Sequence, residues 1–128
     1  MKVLIADDSS LFRKNLVDLL HEVQGVEIVG QAQDVDQTLS AISVTSPDVL
    51  TLEVSINGES GIDVLKKIKQ HQLVPVVIML TNHSTQPYQK RCERAGADFF
   101  VDKTRGDFEV RRIIQELLPR FKAGSNES

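Results

Sequence analysis

Three carboxylates, one hydroxyl and one ammonium stand where they could meet: Asp7 and Asp8, Glu53, Thr81 and Lys103. Each ends or follows a short apolar run, and loops set on a rigid scaffold are where proteins place chemistry. Carboxylates gathered without a counter-charge repel one another, so the cluster calls for a cation. Hard oxygen donors suit Mg²⁺, which takes one or two protein carboxylates and keeps several waters. A metal held there can receive a phosphoryl oxygen while Lys103 and the Thr81 hydroxyl hold others. Such a layout serves phosphoryl transfer, which works by positioning and charge neutralisation.

The elements that must gather these residues are legible in the apolar pattern. Val3-Leu4-Ile5-Ala6 is continuous and apolar, as suits a strand buried on both faces. Ser9 or Ser10 caps a helix carrying Leu11, Phe12, Leu16, Leu19, Leu20 and Val23, which stops near Gly25. Residues 26–32 read as a second strand. A helix from Asp36, with Leu39 and Ile42 inward, ends at Ser46-Pro47. Residues 49–54 form a third strand that delivers Glu53 near its end. Ser60 caps a helix with Ile62, Leu65 and Ile68 inward and Lys66, Lys67 and Lys69 on a solvated face. Val76-Val77-Ile78-Met79-Leu80 is the fourth strand, and a helix over 87–95 lies between Pro87 and Gly96. Residues 98–101 form a fifth strand. Asp107 caps a last helix with Phe108, Ile113, Ile114, Leu117 and Leu118, which ends near Pro119. Residues 123–128 read as a disordered tail after a domain of residues 1–122.

Five strands alternating with five helices predict one parallel sheet covered on both faces, because crossovers are right-handed. Loops that follow parallel strands share one edge, and ligands bind there. That edge collects Asp7, Asp8, Glu53, Thr81 and Lys103. The chain has 128 residues, 41% of them apolar, and a net charge of −3 with both signs interspersed. No large basic surface for nucleic acid is implied. Cys92 is the single cysteine, so no internal disulfide forms and a reducing compartment is expected; its side chain is predicted to face the sheet. The first apolar run is too short for a signal peptide or a membrane span. We expect a soluble, cytoplasmic protein. His21, His71 and His83 lack partners at ligand spacing and are predicted at the surface.

The chain resembles a response-regulator receiver domain over roughly residues 1 to 122. The carrying motifs are Val3-Leu4-Ile5-Ala6-Asp7-Asp8, Pro47-Asp48 with an acid six positions after the proline, Ser60-Gly61, Leu80-Thr81, Ala95-Gly96-Ala97-Asp98 and Phe100-Val101-Asp102-Lys103. Each alone is weak; together and in order they are specific. The resemblance implies a doubly wound, flavodoxin-like sheet of order 2-1-3-4-5. It implies transfer of a phosphoryl group from a histidine kinase to an aspartate, with Mg²⁺ bound. The family's metal set maps to Asp7, Asp8, residue 53 and the backbone carbonyl of Ser55. Its switch hydroxyl maps to Thr81, its lysine to Lys103 and its switch aromatic to Phe100, a residue that by itself reads as core.

The acceptor position departs from the family, which has aspartate where this chain has Glu53. The extra methylene moves the carboxylate about 1.5 Å outward. Misplacement of order 1 Å costs about a hundredfold where geometry supplies catalysis. Loss of ordinary phosphorylation is therefore expected. Asn57 and Thr104 stand where the family often has proline, so the Lys103 loop is expected to be set differently. An ion pair from Lys103 to Glu53 or Asp8 would offset the acid cluster and weaken Mg²⁺. Glu53 could also mimic the phosphorylated state, but one charge and two oxygens reproduce a phosphoryl group only in part. The resulting expectation is a non-enzymatic, stand-alone signalling module acting by protein contact, with no output domain after residue 122. Its partner is a histidine kinase or other signalling protein, with no nucleic acid and no membrane. It is a monomer or a weak homodimer through the fourth and fifth helices. The alternative is a Mg²⁺-dependent haloacid-dehalogenase-type phosphatase, although that family needs Asp-x-Asp and this chain has Asp7-Asp8-Ser9. A flavin binder of the same topology is disfavoured because acids in the first loop repel the flavin phosphate.

Overall fold

The computed structural model describes residues 1–82 and 86–126. His83 therefore lies outside the described residues. In chain order the elements are β1 (Lys2–Ala6), α1 (Ser10–His21), β2 (Glu27–Ala32), α2 (Val35–Thr45), β3 (Val49–Glu53), β4 (Ser55–Ile56), β5 (Glu59–Ser60), α3 (Gly61–Gln70), β6 (Val76–Thr81), α4 (Gln86–Arg94), β7 (Phe99–Asp102) and α5 (Gly106–Asn126). A 3₁₀ turn, Lys103–Arg105, joins β7 to α5. Five strands form one parallel sheet in the order β2-β1-β3-β6-β7. This is the expected 2-1-3-4-5 order, renumbered because β4 and β5 form a small separate hairpin.

The strands are continuous apolar runs because both faces are covered. Leu4, Ala6, Leu50, Leu52, Val77 and Met79 pack toward α2, α3 and α4. Their alternate neighbours Val3, Ile5, Val49, Ile78, Leu80 and Val101 pack toward α1 and α5. Each fully buried Leu or Ile contributes about 1.5–3 kcal/mol by leaving water. Three helices start on side-chain caps. Ser9 Oγ accepts from the Phe12 N–H at 3.1 Å, Asp34 Oδ1 from Gln37 at 2.8 Å and Ser60 Oγ from Asp63 at 3.3 Å. The Asp34 cap starts α2 at Val35, one residue before the expected Asp36.

Other boundaries moved further. α5 starts at Gly106, and Asp107 lies inside its first turn rather than capping it. Asp102 caps the preceding 3₁₀ turn instead, its Oδ1 accepting from Thr104 N and Oγ1, both at 2.9 Å. α5 also runs through Pro119, so the expected stop there does not occur. The backbone stays helical to Asn126, within the segment read as a tail from residue 123. Phe108 and Leu11, counted as inward apolar positions, are exposed. Cys92 is buried as expected, and His21 and His71 are exposed.

Candidate functional site

The site lies where the chain reverses its direction of strand addition, between β1 and β3, which is where open α/β sheets bind ligands. β1 and β3 are hydrogen-bonded neighbours with Ala6 beside Leu52, so Asp7 and Glu53 follow in register. Glu53 pairs with Leu80 on β6, and Thr81 pairs with Asp102 on β7. Lys103 is the next residue. Parallel register alone thus carries the residues along one rim.

The side chains complete the convergence. Lys103 Nζ lies 2.8 Å from Asp7 Oδ2 and 3.1 Å from Glu53 Oε1. Asp7 is fully buried, and Lys103 has 6% of its side chain exposed. Lys103 bridges Glu53 and Asp7, not Asp8 as the sequence allowed. The Asp8 carboxylate is engaged elsewhere, where its Oδ2 accepts the Asn57 N–H at 2.8 Å. The Asp8 backbone N–H points inward and donates to Glu53 Oε2 at 3.3 Å. Thr81 is buried at the end of β6. Ser55 sits in the hairpin, paired with Ser60. Phe100 is half-buried on β7, on the face that packs against α3 and α4.

Three contributors escaped the sequence reading. The Phe12 ring lies under Lys103, with Nζ 4.5 Å from its centroid. Arg13 donates to the Asp7 backbone carbonyl and holds the loop after β1. Asn57 has φ of +50° and Gly58 +79°, the pair of left-handed residues a two-residue hairpin turn demands. An Asn-Gly pair signals such a turn, and proline could neither adopt that φ nor donate to Asp8. Gly61 is also required locally. A Cβ there would lie 2.0 Å from the Glu53 carbonyl oxygen.

Burial, and then the charge of Asp7, push the Glu53 carboxyl up to about 7, although Lys103 pulls it down. For Asp8 burial acts upward, but the Asn57 N–H, Glu53 and Lys103 outweigh it and leave its pKa lowered. Burial opposes the Lys103 ammonium, yet Asp7 and then Glu53 hold its pKa above the ordinary lysine value. Lys103 thus offsets part of the rim's negative charge.

A divalent ion fits the donor set. Carboxylate oxygens of Asp7, Asp8 and Glu53 lie within 4.8 Å of one another. Asp7 Oδ2 is buried and accepts no aligned hydrogen bond, so only the ion pair to Lys103 compensates it. Such an oxygen is a natural ligand for Mg²⁺. When bound, the ion would neutralise negative charge on a phosphoryl oxygen, in competition with Lys103 for the same carboxylates.

The response-regulator receiver domain family matches residues 3–117. The chain belongs to that family. Among curated relatives, the protein-glutamate methylesterase/protein-glutamine glutaminase of Clostridium acetobutylicum is 27% identical over 130 residues, covering 100% of this chain and 38% of that protein. The sensory transduction protein LytR of Staphylococcus haemolyticus is 34% identical over 117 residues, covering 91% of this chain and 44% of that protein. This receiver therefore spans less than half the length of these two relatives. The signal receiver domain of the response regulator NarL from Mycobacterium tuberculosis superimposes with a TM-score of 0.83 at 26% identity, covering 92% of this chain and 95% of that one. Membership decides between the receiver and phosphatase families that the sequence left open. Among the described residues no helix of this receiver is long and apolar enough to cross a membrane.

Proposed function

We propose that this receiver signals by docking to other proteins, and that Glu53 closes its phosphoryl-acceptor position to ordinary phosphorylation. The observation that carries this reading is the bridge from Lys103 Nζ to Asp7 Oδ2 and Glu53 Oε1 at 2.8 and 3.1 Å. The ammonium that would receive a phosphoryl oxygen is engaged by two carboxylates. Asp7, Asp8, Glu53 and the Ser55 carbonyl are the proposed metal set. Thr81 and Phe100 are the proposed elements that would report the state of the rim. A histidine kinase or another cytoplasmic signalling protein is the proposed partner, and any homodimer would be weak and formed through α4 and α5.

The test is labelling by radiolabelled acetyl phosphate with Mg²⁺. The wild-type chain is expected to take no label, and Glu53→Asp is expected to take it. Stoichiometric label on the wild-type chain at residue 53 refutes the closed site. No label on Glu53→Asp means that the remaining rim is also unable to support the chemistry.

A further inference from the structure

Charge is distributed unevenly over the helices. α3 and α4 are neighbours and carry Lys66, Lys67, Lys69, Lys90, Arg91 and Arg94 against only Asp63 and Glu93, on a chain whose net charge is −3. Two of the bases on α1 and α5 are paired with acids of their own helix. Lys14 meets Asp18 at 3.1 Å on α1, and Arg112 meets Glu109 and Glu116 on α5 at 2.5 and 2.9 Å. Among the described residues, Lys69 alone of the bases on α3 and α4 finds an acid, Asp98, at 2.7 Å. Lys66, Lys90 and Arg94 are exposed and form no ion pair among the described residues, while Lys67 stands on the other side of α3, beside α2.

The same face has a small groove walled on one side by Tyr88. A groove of about 260 Å³ lies between the β4–β5 hairpin, α3 and α4, with Val54 and Ile62 in its lining and Tyr88 and Arg91 on its α4 side. Arg91 stacks over the Tyr88 ring at 5.8 Å from its centroid. At 100° per residue, Lys66 stands one turn beyond Ile62 on the same side of α3, so bases stand on both sides of the groove. A tyrosine and an arginine at a groove with a basic rim is the composition of a protein-binding hot spot.

We infer that the α3–α4 face docks an acidic segment of a partner protein, with one apolar side chain of that segment seated in the groove beside Tyr88. Charge complementarity selects the segment. Glu59 also lines the groove, and Asp63 stands exposed on α3. A continuous polyanion such as nucleic acid would have to cross these carboxylates, whereas a segment bearing an apolar residue there would not. A second copy is a poor occupant, because two-fold pairing of this face sets bases against bases. This names a partner class for the docking module proposed above and rests on that reading. Its readout is on α3 and α4, whereas closure of the acceptor is read at residue 53, so either can fail alone.

The experiment titrates the full chain with a short poly-glutamate peptide carrying one central phenylalanine, followed by amide NMR at low and high salt. Shifts are expected on α3, α4 and the β4–β5 hairpin, and they weaken as salt rises. Lys66→Glu combined with Arg91→Glu should weaken binding by at least about tenfold, the scale of a lost charge complement. Tyr88→Ala should weaken it with the salt dependence kept. Both variants are first checked for unchanged amide dispersion. Shifts confined to α1 or α5, binding indifferent to the charge reversal, or tighter binding of duplex DNA or anionic vesicles at the same amides would each overturn the inference.

Discussion

Replacing Glu53 by Gln keeps the length of the side chain and removes its charge. The folded chain holds the Glu53 carboxyl up to about 7, against an ordinary value of 4.5. A raised acid favours the protonated folded state, so its stabilising proton is fully present below 4.5. That contribution is lost as pH rises through 7. One pH unit between the two values corresponds to about 1.36 kcal/mol, so ionised Glu53 destabilises the fold by up to about 3 kcal/mol. The attraction to Lys103 at 3.1 Å is already contained in that value, and relaxation around the charge reduces the figure. Lys103 keeps Asp7 in either case. Glu53→Gln is therefore expected to be about 1–2 kcal/mol more stable than wild type at pH 8, and about equal to it at pH 4.5. For a domain of this size that is a rise in Tm of roughly 3–10 °C. Urea and thermal unfolding of both chains across this range, without Mg²⁺, give the difference and cancel groups common to both. A difference that stays flat from pH 4.5 to 8, or a variant less stable at pH 8 than at pH 4.5 relative to wild type, refutes the reasoning.

Two further outcomes follow from packing. The Thr51 hydroxyl is buried on β3 with no hydrogen-bond partner, flanked in register by Ile5 and Ile78. Thr51→Val should raise the urea midpoint by about 1 kcal/mol in stability, and a loss would mean that the hydroxyl is bonded. Gly61→Ala places a Cβ 2.0 Å from the Glu53 carbonyl oxygen, and backbone cannot swing aside as a long side chain can. A loss of at least about 2 kcal/mol is expected by calorimetry, and a neutral result would show that the β3–hairpin junction is loose.

The fold was legible because its signals were redundant. Val3-Leu4-Ile5-Ala6 and Val76-Val77-Ile78-Met79-Leu80 suit strands buried on both sides, and strict alternation with helices favours one parallel architecture. The ends of elements were less legible. Pro119 is a sound stop signal locally, yet α5 passes through it while Val110, Ile113, Ile114 and Leu117 hold the helix on the sheet. Asp107 has the side chain of a cap, but Asp102 takes that role for the 3₁₀ turn and α5 begins directly after it. The β4–β5 hairpin was announced by Asn57-Gly58, but two-residue strands have no periodicity to detect.

By itself the sequence determined which residues stand on the rim, because topology and parallel register place whatever follows each strand at the same edge. Tertiary structure alone decided how those residues pair. Whether Lys103 reaches Asp7 or Asp8, which way the Asp8 carboxylate turns, and how far burial raises Glu53 all depend on side-chain directions and on water excluded by Phe12 and the neighbouring loops. Coulombic and desolvation energies change steeply over an ångström, a scale that spacing along a chain does not encode.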